Sequence, residues 1–408
     1  MRKKESWPMS EASGMLIARR STGDGSMGTP RTVTDADGTG DGTSRLVAAS
    51  AATAASAGTA AADDDARLEA LRAARLSSHL LAEPAASPLA AAERLAATQA
   101  QEFWGGRFAL SARTAGTPTA RQIDALFDRG DLVRTWPMRG TLHVIAAVDT
   151  AWMVPITAQR IHRSGAARHR ELGLAEADFT RAERILRRPL REGGLRRAEA
   201  FAALEAGGVA TAGQRGTHLL HTLALRGVVV WGATVPRSDQ PATEQLLTLT
   251  DHLPPQRDTP ADPEAELFRR YLAGHGPASI ADFAWWAGTT ITVARAAASA
   301  VRDDDGAISD AALLTLVDER AVPWESTGPA PVWDARARLL GSFEEYYISY
   351  ADRSVVAGEH MRAEIGPGKN GMVKPVVLRD GRVVATWSRG GVAELATELA
   401  DTWQHHIA

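Results

Sequence analysis

From Arg67 onward, apolar positions fall into a repeating grammar of two or three helices followed by a short β-branched run. The stretch "ARQIDALFDRGDLVRTW" reads as a helix with Ile123, Leu126 and Phe127 on one face, and "PMRGTLHVIAA" follows as a turn and a strand. A second round runs through "FTRAERILRRPL", "LRRAEAFAALEAGGV" and "TAGQRGTHLLHTLALRG" to the strand "VVVWGA". The third is "PEAELFRRYLAGHG", "ASIADFAWWAG" and "TITVARAAASAV", with Ala281, Phe283 and Ala284 directed to a core and Gly288 making the turn. Ser and Thr open these helices; Gly130, Gly207, Gly208, Gly227 and Gly288 close them. After residue 336 the pattern changes. "LLGSFEEYYISYADRS" groups Phe343, Tyr346, Tyr347 and Tyr350, read as core, and "MVKPVVLRDGRVVATW" is a hairpin around Asp380-Gly381, before a final helix.

Helix, helix, turn, helix and strand pair is the order of a winged helix. The expected fold is mainly α with small β wings: three tandem winged-helix motifs plus a C-terminal β-rich region, in a C-shaped DNA-binding architecture. The expected divisions are a tail over 1–66, winged-helix regions over 67–178, 179–250 and 260–335, and the C-terminal region over 336–408. The tail is rich in Gly, Ser, Thr, Ala and Asp and cannot bury a core. It reads as disordered, or as an over-extended reading-frame start.

Charge changes the picture locally. The chain of 408 residues carries a net charge of −3, yet 11 arginines face 5 acidic residues between Arg160 and Arg197. That block is either a solvated helical face or a nucleic-acid footprint. With no cysteine, disulfides and thiolate metal sites are excluded. His162, His169, His218 and His221 lack acids at ligand spacing, and His405-His406 reads as a frayed end, so no metal or cofactor is expected. With no apolar run long enough for a bilayer and no signal peptide, a cytoplasmic, monomeric protein is expected.

The candidate chemistry sits in "LAATQAQEFWGG", where Gln99 and Gln101 are split by one small residue. On a helix they would diverge by about 200°; in an extended segment they share a face. Either they solvate a helix end, or the helix stops near Thr98 and the two amides hold one water between them. In "WPMRGTLHV", Trp136 and Met138 read as core. Arg139, Thr141 and His143 alternate along a strand, facing phosphate or lesion, or else forming a buried network that holds the wing. Arg353 is either a phosphate clamp or a partner for Asp352 or Glu345.

Taken in order, "LAATQAQ", "TWPMRGTLHVI", "RRYLAGHGPASIADFAWWAG", "LLGSFEEYYISYADRS" and "GMVKPVVLRDGRVVATW" resemble segments of the winged-helix DNA-binding proteins that include the AlkZ and YcaQ DNA glycosylases. The resemblance covers roughly residues 67–400. Gln101 places the chain with the branch that carries glutamine–apolar–glutamine. Glu344 stands where that family has Asp, and Gly341-Ser342 replaces a Pro-containing turn. The resemblance implies a monofunctional DNA glycosylase that excises bulky N7-alkylated purines, unhooks interstrand crosslinks and serves self-resistance to alkylating natural products. Gln99 and Gln101 would be catalytic, and Arg139, Thr141, His143 and Arg353 would contact double-stranded DNA bearing alkylated or crosslinked purines. An amine nucleophile is scarce: outside the tail only Lys369 and Lys374 occur, which favours hydrolysis by water over a lyase reaction. The alternative is a non-catalytic winged-helix DNA-binding protein, a regulator or a damage-binding scaffold.

Overall fold

The computed structural model describes residues 63–238, 240–302, 308–326, 336–368 and 371–408. The expected tail therefore lies outside the described residues, apart from 63–66. Those four are helical: α1 is described over 63–78, and its three aspartates, Asp63 to Asp65, head the described part of the helix.

The first region runs through α2 (Pro88–Leu95), the two-residue strand β1 (Thr98–Gln99), α3 (Phe103–Ser111), α4 (Ala120–Asp128), β2 (Leu132–Met138) and β3 (Thr141–Ala146). Thr119 closes a capping box with Gln122 at the start of α4, and Ile123, Leu126 and Phe127 are buried as the periodicity requires. The helix read over 120–136 is too long. Gly130 turns the chain out of the helix at φ +79°, and Leu132 to Trp136 are β-branched or aromatic enough to pair as β2. The first region ends with α5 (Thr150–Glu171), and α6 (Glu176–Glu192) crosses its expected end at 178; the second holds α7 (Arg197–Ala206), α8 (Arg215–Leu225), β4 (Val229–Thr234) and β5 (Gln245–Leu249). Its hairpin does not stand apart. Arg134 of β2 pairs with Trp231 of β4, so the first two wings join in one five-stranded sheet of order β1-β3-β2-β4-β5.

The third region is α9 (Pro263–His275), α10 (Ile280–Ala287), α11 (Ile291–Val301) and the hairpin β6 (Leu314–Val317) with β7 (Arg320–Pro323). A Ser279–Asp282 capping box opens α10, Gly288 closes it at φ +66°, and Thr290 caps α11. Phe283 and Trp286 are buried. Ala281 and Ala284, expected in the core, are only half-buried, and both border a cleft.

The C-terminal region contains β8 (Arg338–Leu340), α12 (Glu345–Ile348), α13 (Glu359–Ile365), β9 (Val376–Arg379), β10 (Arg382–Thr386) and α14 (Thr397–Ile407). Asp380 and Gly381 form the expected turn at φ +50° and +67°, and β8 adds a third strand beside β9. The three tyrosines of "EEYYISY" are buried. The C-terminus is not frayed. His406 is 2% exposed against Phe108 and Trp403, and His405 donates to the Thr117 carbonyl at 2.8 Å.

Candidate nucleic-acid site

The chain leaves α2 abruptly. Ala96 lies at φ +59°, ψ −47°, and Ala97 N–H donates to the Leu95 carbonyl at 2.7 Å, the geometry of a strained γ-turn. Two residues later the backbone is extended, with Thr98 opposite Val144 and Gln99 opposite His143 on β3. Ala100 N–H continues the ladder to the Leu142 carbonyl at 2.7 Å. The alternation of a strand follows: Ala100 turns inward and is buried, while Gln99 and Gln101 both line one cleft. The helix thus stops before both glutamines. The two glycines after Trp104 serve this arrangement. A Cβ on Gly106 would lie 2.5 Å from the Ala100 Cβ, and one on Gly105 would lie 2.6 Å from the Ser342 hydroxyl.

Both amides are oriented by their partners. Gln99 Oε1 accepts from the Arg139 guanidinium at 2.8 Å, and Gln101 Oε1 accepts from the Leu142 N–H at 3.1 Å. These donors fix which end of each amide is oxygen. Each oxygen retains a second lone pair, and each NH₂ remains a donor.

Arg139 is not a strand residue. It occupies the first position of a two-residue hairpin loop, with φ +54° and Gly140 at +69°, between the paired residues Met138 and Thr141. An arginine in this conformation is strained, and the strain places its guanidinium over Gln99. Gly288 makes room for it: a Cβ there would sit 2.9 Å from Arg139 Cγ. The same Nη2 also meets His143 Nε2 at 3.1 Å.

His143 does not reach the cleft. It is fully buried, and its Nδ1 bonds the Thr141 carbonyl at 2.9 Å, which leaves Nε2 to accept from Arg139. Burial and the neighbouring Arg139 push its pKa down to about 3, so it is neutral and acts as a support. The expected row of three DNA-facing side chains is corrected accordingly: Arg139 and Thr141 line the cleft, and His143 backs Arg139 from behind.

The cleft has a volume of about 440 Å³. One wall is polar, made by Gln99, Gln101, Arg139, Thr141 and Arg160 of α5. The rest of the lining is largely apolar, with Ala284, Trp285, Phe343 and Ile348. Trp285 is 39% exposed, rare for so large an apolar side chain here. Arg353 borders the cleft as well, its guanidinium 5.0 Å from the Trp285 ring and 5.1 Å from the Tyr347 ring. It takes neither Asp352 nor Glu345 as partner: Asp352 accepts from Ser354, and Glu345 is engaged beneath Gln99. Of the arginine-rich stretch only Arg160 borders the cleft. Arg168 and Arg187 form ion pairs with Glu171, and with Glu183 and Asp251.

Residues 92–408 match the DNA glycosylase AlkZ-like family. The chain belongs to the AlkZ-like DNA glycosylase family. A curated relative, an interstrand DNA cross-link repair glycosylase of Streptomyces sahachiroi, is 26% identical over 360 residues, covering 78% of this chain and 86% of that protein. The solved structure of the S. sahachiroi DNA glycosylase AlkZ shares the fold, with a TM-score of 0.61 at 22% identity over 78% of this chain and 87% of that one. The AlkZ-like match spans both glutamines, Arg139 and Arg353.

Sequence reasoning undervalued two residues. Trp285 was not singled out, and Glu345 was considered only as a partner for Arg353. The signal for Glu345 was the pair of acids inside an aromatic run, "FEEYY". Both are buried. Glu344, where the family has Asp, pairs with the buried Arg113 and caps α12 through the Tyr346 N–H at 3.0 Å. At the departure in the preceding turn, Gly341 and Ser342 abut Gly105.

Proposed function

We propose that the protein is a monofunctional DNA glycosylase that hydrolyses the N-glycosidic bond of bulky, cationic N7-alkylpurines in double-stranded DNA and unhooks interstrand crosslinks. The observation that carries this reading is the pair Gln99, at the end of β1, and Gln101, two residues on, both lining one open cleft. An N7-alkylguanine base already carries a positive charge. When the C1′–N9 bond breaks, its electron pair neutralises the base, so the leaving group needs no strong acid. The sugar becomes an oxocarbenium ion, and water adds at C1′ and loses a proton to solvent.

What this requires from the protein is placement and a preorganised polar wall. The amides of Gln99 and Gln101 hold the water, donating through NH₂ and accepting through the free lone pairs of Oε1. Neither amide can deprotonate it, which restricts the substrates to bases that leave unaided. The apolar wall offers Trp285 to the face of the cationic purine or its adduct. An open cleft suits a crosslinked nucleotide, which cannot enter an enclosed pocket. Lys374 is exposed and is not itself a lining residue, although its neighbour Val373 is, and Lys369 lies outside the described residues.

The test is release of the modified base from DNA carrying an N7-methylguanine. Wild-type protein should release it, and Gln99→Ala with Gln101→Ala should lose most of the activity while duplex binding persists. A protein that binds duplex yet releases no alkylated base and unhooks no crosslink is the non-catalytic alternative.

A further inference from the structure

Beneath the Gln99 segment lies a carboxylate that the reaction described above leaves unused. Glu345 opens α12 and is wholly buried. Its Oε1 accepts the Gln99 backbone N–H at 2.6 Å. Its Oε2 accepts the Ser349 hydroxyl at 2.6 Å and the Trp286 indole N–H at 3.3 Å, with the His275 imidazole 3.8 Å away. One side chain thereby ties β1, α9, α10 and the end of α12 together.

Part of this has a simple reason. β1 is an edge strand, paired only with β3. The Gln99 N–H is buried and needs an acceptor. A neutral amide of the same shape would supply one at far lower desolvation cost than a carboxylate, so the missing hydrogen bond alone does not account for a glutamate. The charge has a second use. Arg139 is a half-buried cation that lines the same cleft, and its positive charge opposes both a cationic base and an oxocarbenium ion. Glu345 attracts Arg139 and is the anion that stands behind Gln99. Burial among these partners still leaves it ionised, its pKa held down at about 2 by His275 and Arg139 against the opposing effect of burial.

We infer that Glu345 is a positioning residue of the glycosylase reaction, clamping the Gln99 backbone and countering Arg139 so that the cleft accepts a cationic nucleotide and its transition state. The inference rests on the function proposed above. It is a role exerted through Gln99 and Arg139, since Glu345 itself does not line the cleft.

The experiment compares wild type, Glu345→Gln, Glu345→Asp, Gln99→Ala and the Gln99→Ala/Glu345→Gln double variant. Each is measured for single-turnover release of N7-methylguanine at saturating protein, for duplex affinity and for thermal unfolding. Glu345→Gln keeps an acceptor for the Gln99 N–H and removes the charge. The expected result is a release rate lower by about 10- to 100-fold, the scale of a charge-assisted hydrogen bond. Duplex affinity should stay within about threefold. Glu345→Asp should recover part of the rate, and Glu345→Gln should cause a smaller loss once Gln99 is alanine, because only the countering of Arg139 then remains to be lost.

A Glu345→Gln protein with the wild-type rate overturns the inference. So does an undiminished loss in the Gln99→Ala background, or a rate that falls only in proportion to folded protein. Should Glu345→Gln fail to fold, Glu345→Asp, which keeps the charge but shortens its reach to the Gln99 N–H, tests the clamp, and a wild-type rate in it overturns the inference. Wild-type protein that releases no base at all sinks the glycosylase reading itself, an outcome distinct from an active enzyme indifferent to Glu345.

Discussion

At the scale of single residues, the site is built from groups whose protonation is fixed. His143 is held neutral with a pKa near 3 by burial and Arg139, and Glu345 stays ionised with a pKa near 2. Neither changes state between pH 5 and pH 9. The rate of base release measured under single turnover is therefore expected to be flat across that window. A bell-shaped profile, or a limb near the usual histidine pKa, would mean that an acid or base outside this account takes part. The side chains of the site were unevenly legible. Gln99 and Gln101 could be read because an i, i+2 amide pair makes sense only on an extended segment. His143 is not placed by sequence, because the strand alternation that would align it with Arg139 ends at the hairpin loop. Arg139 stands in that loop at positive φ, a choice of backbone that its residue type disfavours.

At the scale of elements, strong local signals were readable. The Asp380-Gly381 hairpin, the capped α10–Gly288–α11 turn and the apolar face of α4 each rest on chemistry within a few residues. What local chemistry could not reveal was the end of α2, because Ala96 carries no turn signal and is forced there by packing. Ala100 is pressed between β3 and α3, and Gly106 gives it room. Gly106→Val would drive a side chain into Ala100 and shift the segment that carries both glutamines. The expected cost is about 1–3 kcal/mol of stability, typical of overpacking. Catalysis should fall more steeply than the folded fraction, read by thermal unfolding beside single-turnover release. Equal falls in both would mean that α3 supports the fold but not the placement of the amides.

At the scale of the whole molecule, the packing binds together regions that lie far apart along the chain. The first two wings share one sheet, and Gly288 of the third region closes on Arg139 of the first. Those contacts join residues far apart in sequence, which no periodicity reports. The same burial sets the response to acid. His79, His169, His218, His221, His275 and His406 all have pKa values lowered, chiefly by burial, to about 4 for His169 and about 3 for His221 and His406. Because the unfolded chain takes up these protons first, stability is full above about pH 6.5 and declines as pH falls towards the folded-state values. The unfolding midpoint should drop by several degrees between pH 7 and pH 5. A midpoint that is constant or rises over that interval would show that these histidines are protonated in the folded protein.

The central claim, that Gln99 and Gln101 hold the water that cleaves a cationic nucleotide, is tested most directly by base release from duplexes with one defined N7-guanine adduct. The account predicts release by wild type, little by the Gln99→Ala/Gln101→Ala variant at unchanged duplex affinity, and none from unmodified guanine. Equal release by both proteins, or none by either, would contradict it.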